Sequence, residues 1–358
     1  MWRKKYYEDP RRLALAAVAQ ETVTTTPTIA ASLTHLDPSK AEKLNLAALP
    51  PLDPSKCPRF RVSSSPSSGF GTRARVFNQD SFDAALAMPS SVLRVGNPSV
   101  FNRAAVTVEA EVLAQLKNPT AGAASPANLN RVTAARVAVL NMASERSPGG
   151  GWLKGASAQE EALCFRSTLA ASLHRNLYPI QPRAGLYTRD VVVFRGSMSE
   201  GHKLMVPETA LPNLPVVSAL SVAGIRHPEV KPAGEEAGGA GSEPTTSGGK
   251  QKTGKGPFVF ADPAARDLTK DKMRLSLRMA GANGHTMLVL GAIGCGAFRN
   301  PPEEVVKCWQ EVLGEAEFAG GWFKEIWFAV YDRRNEGNFE IFKEAFDGKA
   351  ICEAQAKA

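Results

Sequence analysis

The stretch over residues 137–177 constrains this chain more than any other. An apolar run, VAVLNMA, suits a buried strand; the loop SERSPGGGWLKGAS follows, then the helical pattern AQEEALCFRSTLAASLHRNL. Leu169, Leu173 and Leu177 recur every four residues and predict one apolar helix face. Strand, glycine loop and helix in this order present backbone N–H groups and a helix N-terminus to a phosphate. Gly149, Gly150 and Gly151 let the backbone approach a diphosphate where a Cβ would clash. Further short apolar runs at 191–194, 216–225, 287–293 and 326–331 alternate with helical patterns at 158–177, 265–281, 303–316 and 338–346. That alternation predicts an α/β layered domain.

A second glycine loop, GAIGCGAFRNPPE, follows the run at 287–293 and precedes a helix. Asn300 suits the helix cap, with Pro301 at the first helical position and Glu303 at the third. Gly294, Cys295 and Gly296 form a second diphosphate-shaped turn, and Phe298 is placed to lie against a sugar or base. The glycine order GxxGxG, and the absence of an acidic strand end about 20 residues on, exclude a dinucleotide-binding dehydrogenase. Two such loops suit a ligand whose central diphosphate is clamped from both sides. In the first loop's helix, Ser157-Ala158-Gln159-Glu160 reads as a capping box with Glu160 satisfying a backbone N–H. Glu161 has no such task in that register. It is the candidate for chemistry, although a first-turn carboxylate also suits the helix dipole.

Composition narrows the class. With 358 residues, 43% hydrophobic and 22% charged, the chain reads as a soluble globular protein, and 30 glycines with 25 prolines predict long loops. The most apolar span, 209–225, holds two prolines, an asparagine and two serines, so no membrane helix is expected. Arg11-Arg12 before a seven-residue apolar run imitates a signal peptide, but Glu8 and Asp9 interrupt the basic region, and Asp9-Pro10 reads as a helix start. Five scattered cysteines and five scattered histidines give no zinc pattern and fit a reduced compartment, cytoplasmic or nuclear. A net charge of +8 serves solubility or a polyanionic partner, and no nucleic-acid-binding signature accompanies it.

Along the chain, 10–25 and 39–48 look helical, and the Ser/Pro-rich stretch 57–71 reads as a linker or irregular arm. A short strand at 75–78 and a helix from Asp80 follow, with a loop at 118–130. Over 229–257, eight Gly, five Ser or Thr and three Pro fill 16 of 29 positions, which predicts a disordered insert.

The stretch LNMASERSPGGGWLKGASAQEEALCFRSTL resembles the signature of microbial-type, bacterial and fungal, poly(ADP-ribose) glycohydrolases: a triple glycine, then seven residues here, then Gln-Glu-Glu. GAIGCGAFRNPPEEV resembles their second loop, and RRLALAAVAQET and KEIWFAVYD extend the resemblance over most of the chain. Met142 stands where the family usually has Phe.

The resemblance implies a three-layer α/β/α macrodomain with a mixed sheet. It would have an N-terminal helical extension and linker over 1–70, a catalytic core over 71–348 and a C-terminal tail over 349–358. It implies exo-type cleavage of the ribose–ribose bond of poly(ADP-ribose), releasing ADP-ribose, without cofactor or metal, in the reversal of ADP-ribosylation and the DNA damage response. By position, Glu161 matches the catalytic glutamate, and Glu160 would hold ribose hydroxyls beside Gln159. Ser144 or Asn141 would contact a ribose, Gly149–Gly151 and Gly294–Gly296 the diphosphate, and Phe298 the proximal ribose. Its partners would be poly(ADP-ribose) and ADP-ribosylated proteins. Alternatives are an ADP-ribose reader without hydrolysis, a mono-ADP-ribosyl hydrolase and, last, a basic nucleic-acid-binding protein.

Overall fold

The computed structural model describes residues 9–63, 68–88, 136–234 and 257–353. Helix α1 (Pro10–Ser32) starts where Asp9 accepts the Arg11 N–H at 3.0 Å with Pro10 at the first position. Its buried Ala19, Thr22, Thr26 and Ile29 recur every three or four residues and face the protein. Strands β1 (Glu42–Asn45) and β2 (Thr72–Phe77), helix α2 (Ser81–Ala87), strand β3 (Val137–Met142), and helices α3 (Gln159–Arg166) and α4 (Leu169–Ser172) come next. Then follow β4 (Ala184–Val192), β5 (Val216–Val222), β6 (Val230–Pro232), β7 (Phe258–Phe260), α5 (Pro263–Ala282) and β8 (Met287–Leu290). Helix α6 (Pro302–Leu313), β9 (Glu325–Ala329), α7 (Asn338–Phe346) and β10 (Ala350–Ile351) complete the chain.

Eight strands form one mixed sheet in the order β1-β4-β5-β3-β8-β9-β2-β10. The five central strands, β5 to β2, run parallel, and β1, β4 and β10 are antiparallel to their neighbours. Alternation along β3 divides the core: Ala138 and Leu140 join one apolar cluster, Val137 and Val139 the other. The first cluster takes in α5, α6 and α7 through Met273, Leu277, Trp309, Phe342 and Phe346, with Phe328 stacked on Phe346 at 4.4 Å. The second takes in α1 to α4 through Ala19, Phe82, Leu163, Phe165 and Leu169. Helices therefore cover both faces, the three-layer arrangement the sequence implies.

Several local expectations are corrected. Residues 39–48 are not a helix: 42–45 form edge strand β1 on β4, and only 46–48 make a 3-10 turn. The pattern at 158–177 is two helices, because Ser167 leaves helical geometry and bridges Val193. The ends of the 229–257 insert are ordered as the β6–β7 hairpin, and the rest of it lies outside the described residues, as does the 118–130 loop. The 57–71 arm docks on the core, where Phe60 N–H donates to the Gly321 carbonyl at 2.9 Å and Arg61 bridges Phe70. No described helix is long and apolar enough to cross a membrane.

Candidate active site

In a parallel sheet, ligands collect beyond the carboxyl ends of strands where neighbours connect in opposite directions. Here that place is the end of β3, between β5 and β8. The two glycine loops leave adjacent strands, one after β3 and one after β8.

Beyond Val139 the pairing of β3 with β8 stops. The side chain of Gln159 takes over that open edge: its Nε2 donates to the Leu140 carbonyl at 2.7 Å and its Oε1 accepts the Met142 N–H at 2.8 Å. Nε2 also donates to Ser81 Oγ at 3.1 Å. Gln159 thus acts as a one-residue surrogate strand, which fixes the start of α3 against β3.

That start corrects the capping expectation. The N-cap is Ala158 rather than Ser157, so Glu161, not Glu160, stands third in the helix. Glu161 Oε2 accepts the Ala158 N–H at 3.1 Å, and Oε1 accepts the Gly151 N–H at 2.8 Å. Glu160 instead reaches down to the Ser144 N–H, 2.7 Å from Oε2, and is only 3% exposed. Burial, with the neighbouring Glu161 charge adding to it, pushes the Glu160 carboxyl up to about 8 against the hydrogen bonds it accepts. Cys164 is buried behind the pair; burial and then both glutamate charges raise its thiol, which stays neutral.

The first glycine loop wraps Glu161. Gly149 and Gly150 have φ of +67° and +62°, and a Cβ on Gly150 would stand 2.5 Å from Glu161 Oε1. At the loop's far side, a Cβ on Gly155 would stand 2.0 Å from the Arg12 carbonyl oxygen, so α1 rests directly on the loop backbone. The Gly150 and Gly151 N–H groups are already engaged, by Ser147 O and Glu161. The second loop differs. Among the described residues nothing accepts from the N–H groups of Gly294, Gly296, Ala297 or Phe298. Gly294 has φ +77°, and a Cβ on Gly296 would meet nothing within 4 Å. A run of free N–H groups about a left-handed residue is an anion-binding concavity.

Asn300 holds this loop rather than capping α6. Its Nδ2 donates to the carbonyls of Ile225 at 2.7 Å and Gly294 at 3.1 Å, while Pro301 occupies the cap position. Cys295 turns its side chain into the core, and Phe298 is half-buried with its carbonyl accepting the His227 N–H at 2.9 Å. Ser144 Oγ accepts the N–H groups of Arg146 and Ser147, and Asn141 is fully buried on β3. Register explains Asn141: it lies opposite Ser221 on β5, and its Nδ2 donates to Ser221 Oγ at 2.9 Å. Tyr178, whose hydroxyl is buried near Glu160, belongs to the same cluster. Nothing in its spacing singles it out in the sequence. No described group of three His, Cys, Asp or Glu side chains is placed to hold a metal ion.

The family model described as Microbial-type PARG, catalytic domain, matches residues 15–196, just over half of the chain. The chain belongs to this poly(ADP-ribose) glycohydrolase family. The match runs from within α1 past β4 and includes the first loop, Gln159, Glu160 and Glu161. In fold, the chain is similar to the crystal structure of poly(ADP-ribose) glycohydrolase from Thermomonospora curvata. The two are 21% identical with a TM-score of 0.55, over 93% of this chain and 99% of that one. The same glycohydrolase bound to the inhibitor ADP-HPD matches with a TM-score of 0.54. The Deinococcus radiodurans glycohydrolase in complex with ADP-ribose is 20% identical with a TM-score of 0.48, over 85% of this chain and 93% of that one. No curated protein sequence matches.

Proposed function

We propose that this chain is a poly(ADP-ribose) glycohydrolase that cleaves the terminal ribose–ribose O-glycosidic bond and releases ADP-ribose. The observation that carries the reading is the pairing of a Glu161 carboxyl, bordered by Gly150 and Gly151, with a neighbouring loop whose free N–H groups suit a diphosphate. ADP-ribose has that layout, with a diphosphate one bond from the reacting ribose.

In this scheme Gly294 to Phe298 hold the diphosphate, and the first loop shapes the ribose pocket around Glu161. Glu161 gives a proton to the leaving ribose oxygen as the C1–O bond breaks and an oxocarbenium-like ribose forms. The held diphosphate stabilises that cation. Water then bonds to C1 and returns its proton to Glu161, so the carboxyl ends as it began. Two side-by-side glutamates do not reach opposite faces of the sugar, as the usual pair of glycosidase carboxylates does. Glu160 accordingly orients ribose hydroxyls rather than activating water. Poly(ADP-ribose) and the proteins that carry it are the partners in this reading.

The test compares the protein with its Glu161→Gln variant on labelled poly(ADP-ribose) and on ADP-ribose. Release by the unmodified protein, cut by about 10²–10⁴ in the variant with ADP-ribose still bound, is the expected result. Binding without release by either protein would make this a reader of ADP-ribose.

A further inference from the structure

Three buried side-chain polar atoms around Glu160 have no hydrogen-bond partner among the described residues: Asn141 Oδ1, Glu160 Oε1 and the Tyr178 hydroxyl. The Asn141 amide lies against the Glu160 carboxyl, and the Glu160 charge bears on Tyr178, whose phenol burial raises. The backbone around Tyr178 is pinned on three sides. Lys43 Nζ donates to the Leu177 and Pro179 carbonyls at 2.7 and 3.0 Å, straddling Tyr178. Ile180 N–H donates to the Glu145 carbonyl at 2.8 Å, next to the Ser144 that holds Glu160, and Arg175 donates to the Arg146 carbonyl at 2.8 Å. A hydroxyl placed this firmly beside two other unmet groups is built to receive something.

The chemistry of that something is readable. Asn141 Oδ1 is an acceptor, because Nδ2 is committed to Ser221. Glu160 Oε1 and the tyrosine hydroxyl can each donate or accept. A vicinal diol, which donates twice and accepts twice, matches all three, and a ligand that left one of them unmatched would forfeit affinity. We infer that Tyr178 is a positioning residue whose hydroxyl bonds one of the two ring hydroxyls of the terminal ribose, while Glu160 and Asn141 take the other. This rests on the proposed function and adds to it a residue and a selectivity for an intact cis-diol.

The test is calorimetric titration of the protein and its Tyr178→Phe variant with ADP-ribose and with two analogues lacking the 2- or the 3-hydroxyl of the terminal ribose. The variant loses about 5- to 15-fold in affinity for ADP-ribose and nothing for the analogue that lacks the contacted hydroxyl. Its unliganded melting temperature does not fall, since an unpartnered hydroxyl is removed. Unchanged affinity for ADP-ribose, equal losses on every ligand, or a lowered melting temperature would overturn the inference. Failure of the unmodified protein to bind ADP-ribose would overturn the functional reading beneath it.

Discussion

Replacing Glu160 by Gln tests the electrostatics of the site without reference to turnover. In the folded protein burial lifts this carboxyl from 4.5 to about 8, so the fold binds its proton more tightly than the unfolded chain does. Stability is therefore greatest below about pH 4.5, falls as the pH rises to about 8, and levels off above. At about 1.4 kcal/mol for each pH unit between those two values, this group costs the fold about 3 kcal/mol by pH 7 and about 5 by pH 9. Glutamine keeps an oxygen for the Ser144 N–H and carries no charge, so the variant lacks that slope. Urea midpoints for both proteins from pH 5 to 9 supply the test, because taking the difference cancels every other titrating group. The variant gains on the unmodified protein steadily with pH and exceeds it by pH 8. A difference that stayed constant over that range would refute the burial argument.

Gln159→Ala exposes the open edge of β3 and orphans the Leu140 carbonyl and Met142 N–H, costing roughly 2–4 kcal/mol in chemical denaturation. Gly150→Ala places a Cβ 2.5 Å from a movable Glu161 oxygen at a φ of +62°; the strain costs about 1–2 kcal/mol, but hydrolysis falls more than stability as Glu161 is displaced. Asn300→Ala releases the second loop from Ile225 and Gly294, so ADP-ribose affinity drops while the melting temperature moves by a few degrees.

The layer order, the sheet strands of the core and both glycine loops are legible in the sequence because they rest on local periodicity and on glycines between a strand and a helix. What misleads is context. EKLN at 42–45 has helical composition, yet an unpaired edge of β4 and a Lys43 tied to Leu177 and Pro179 make it a strand. Ser157 has the better capping side chain, but the chain starts its helix at Ala158, where Gln159 reaches β3, and this moves Glu161 into the position that Glu160 was expected to fill. Asn300 looks like a cap and is a staple, since no local pattern reveals that Ile225 lies beside it. Tyr178 has no local signature at all. Its partners come from β1, from the segment after β3 and from α3, far apart in the chain.

The seat of α1 on Gly155 makes the N-terminal helix a wall of the glycine loop rather than an appendage. The Arg12 carbonyl presses where a side chain would stand, and further along the helix Thr22 Oγ1 donates to the Phe165 carbonyl at 2.9 Å and Glu21 pairs with Arg195 at 2.8 Å. Fraying from the first turn therefore loosens the loop around Glu161 long before it reaches the sheet. Heat, trimming by a protease or an added tag would extinguish catalysis while most of the molecule stayed folded, so the durability of the activity is set by the grip of one helical turn.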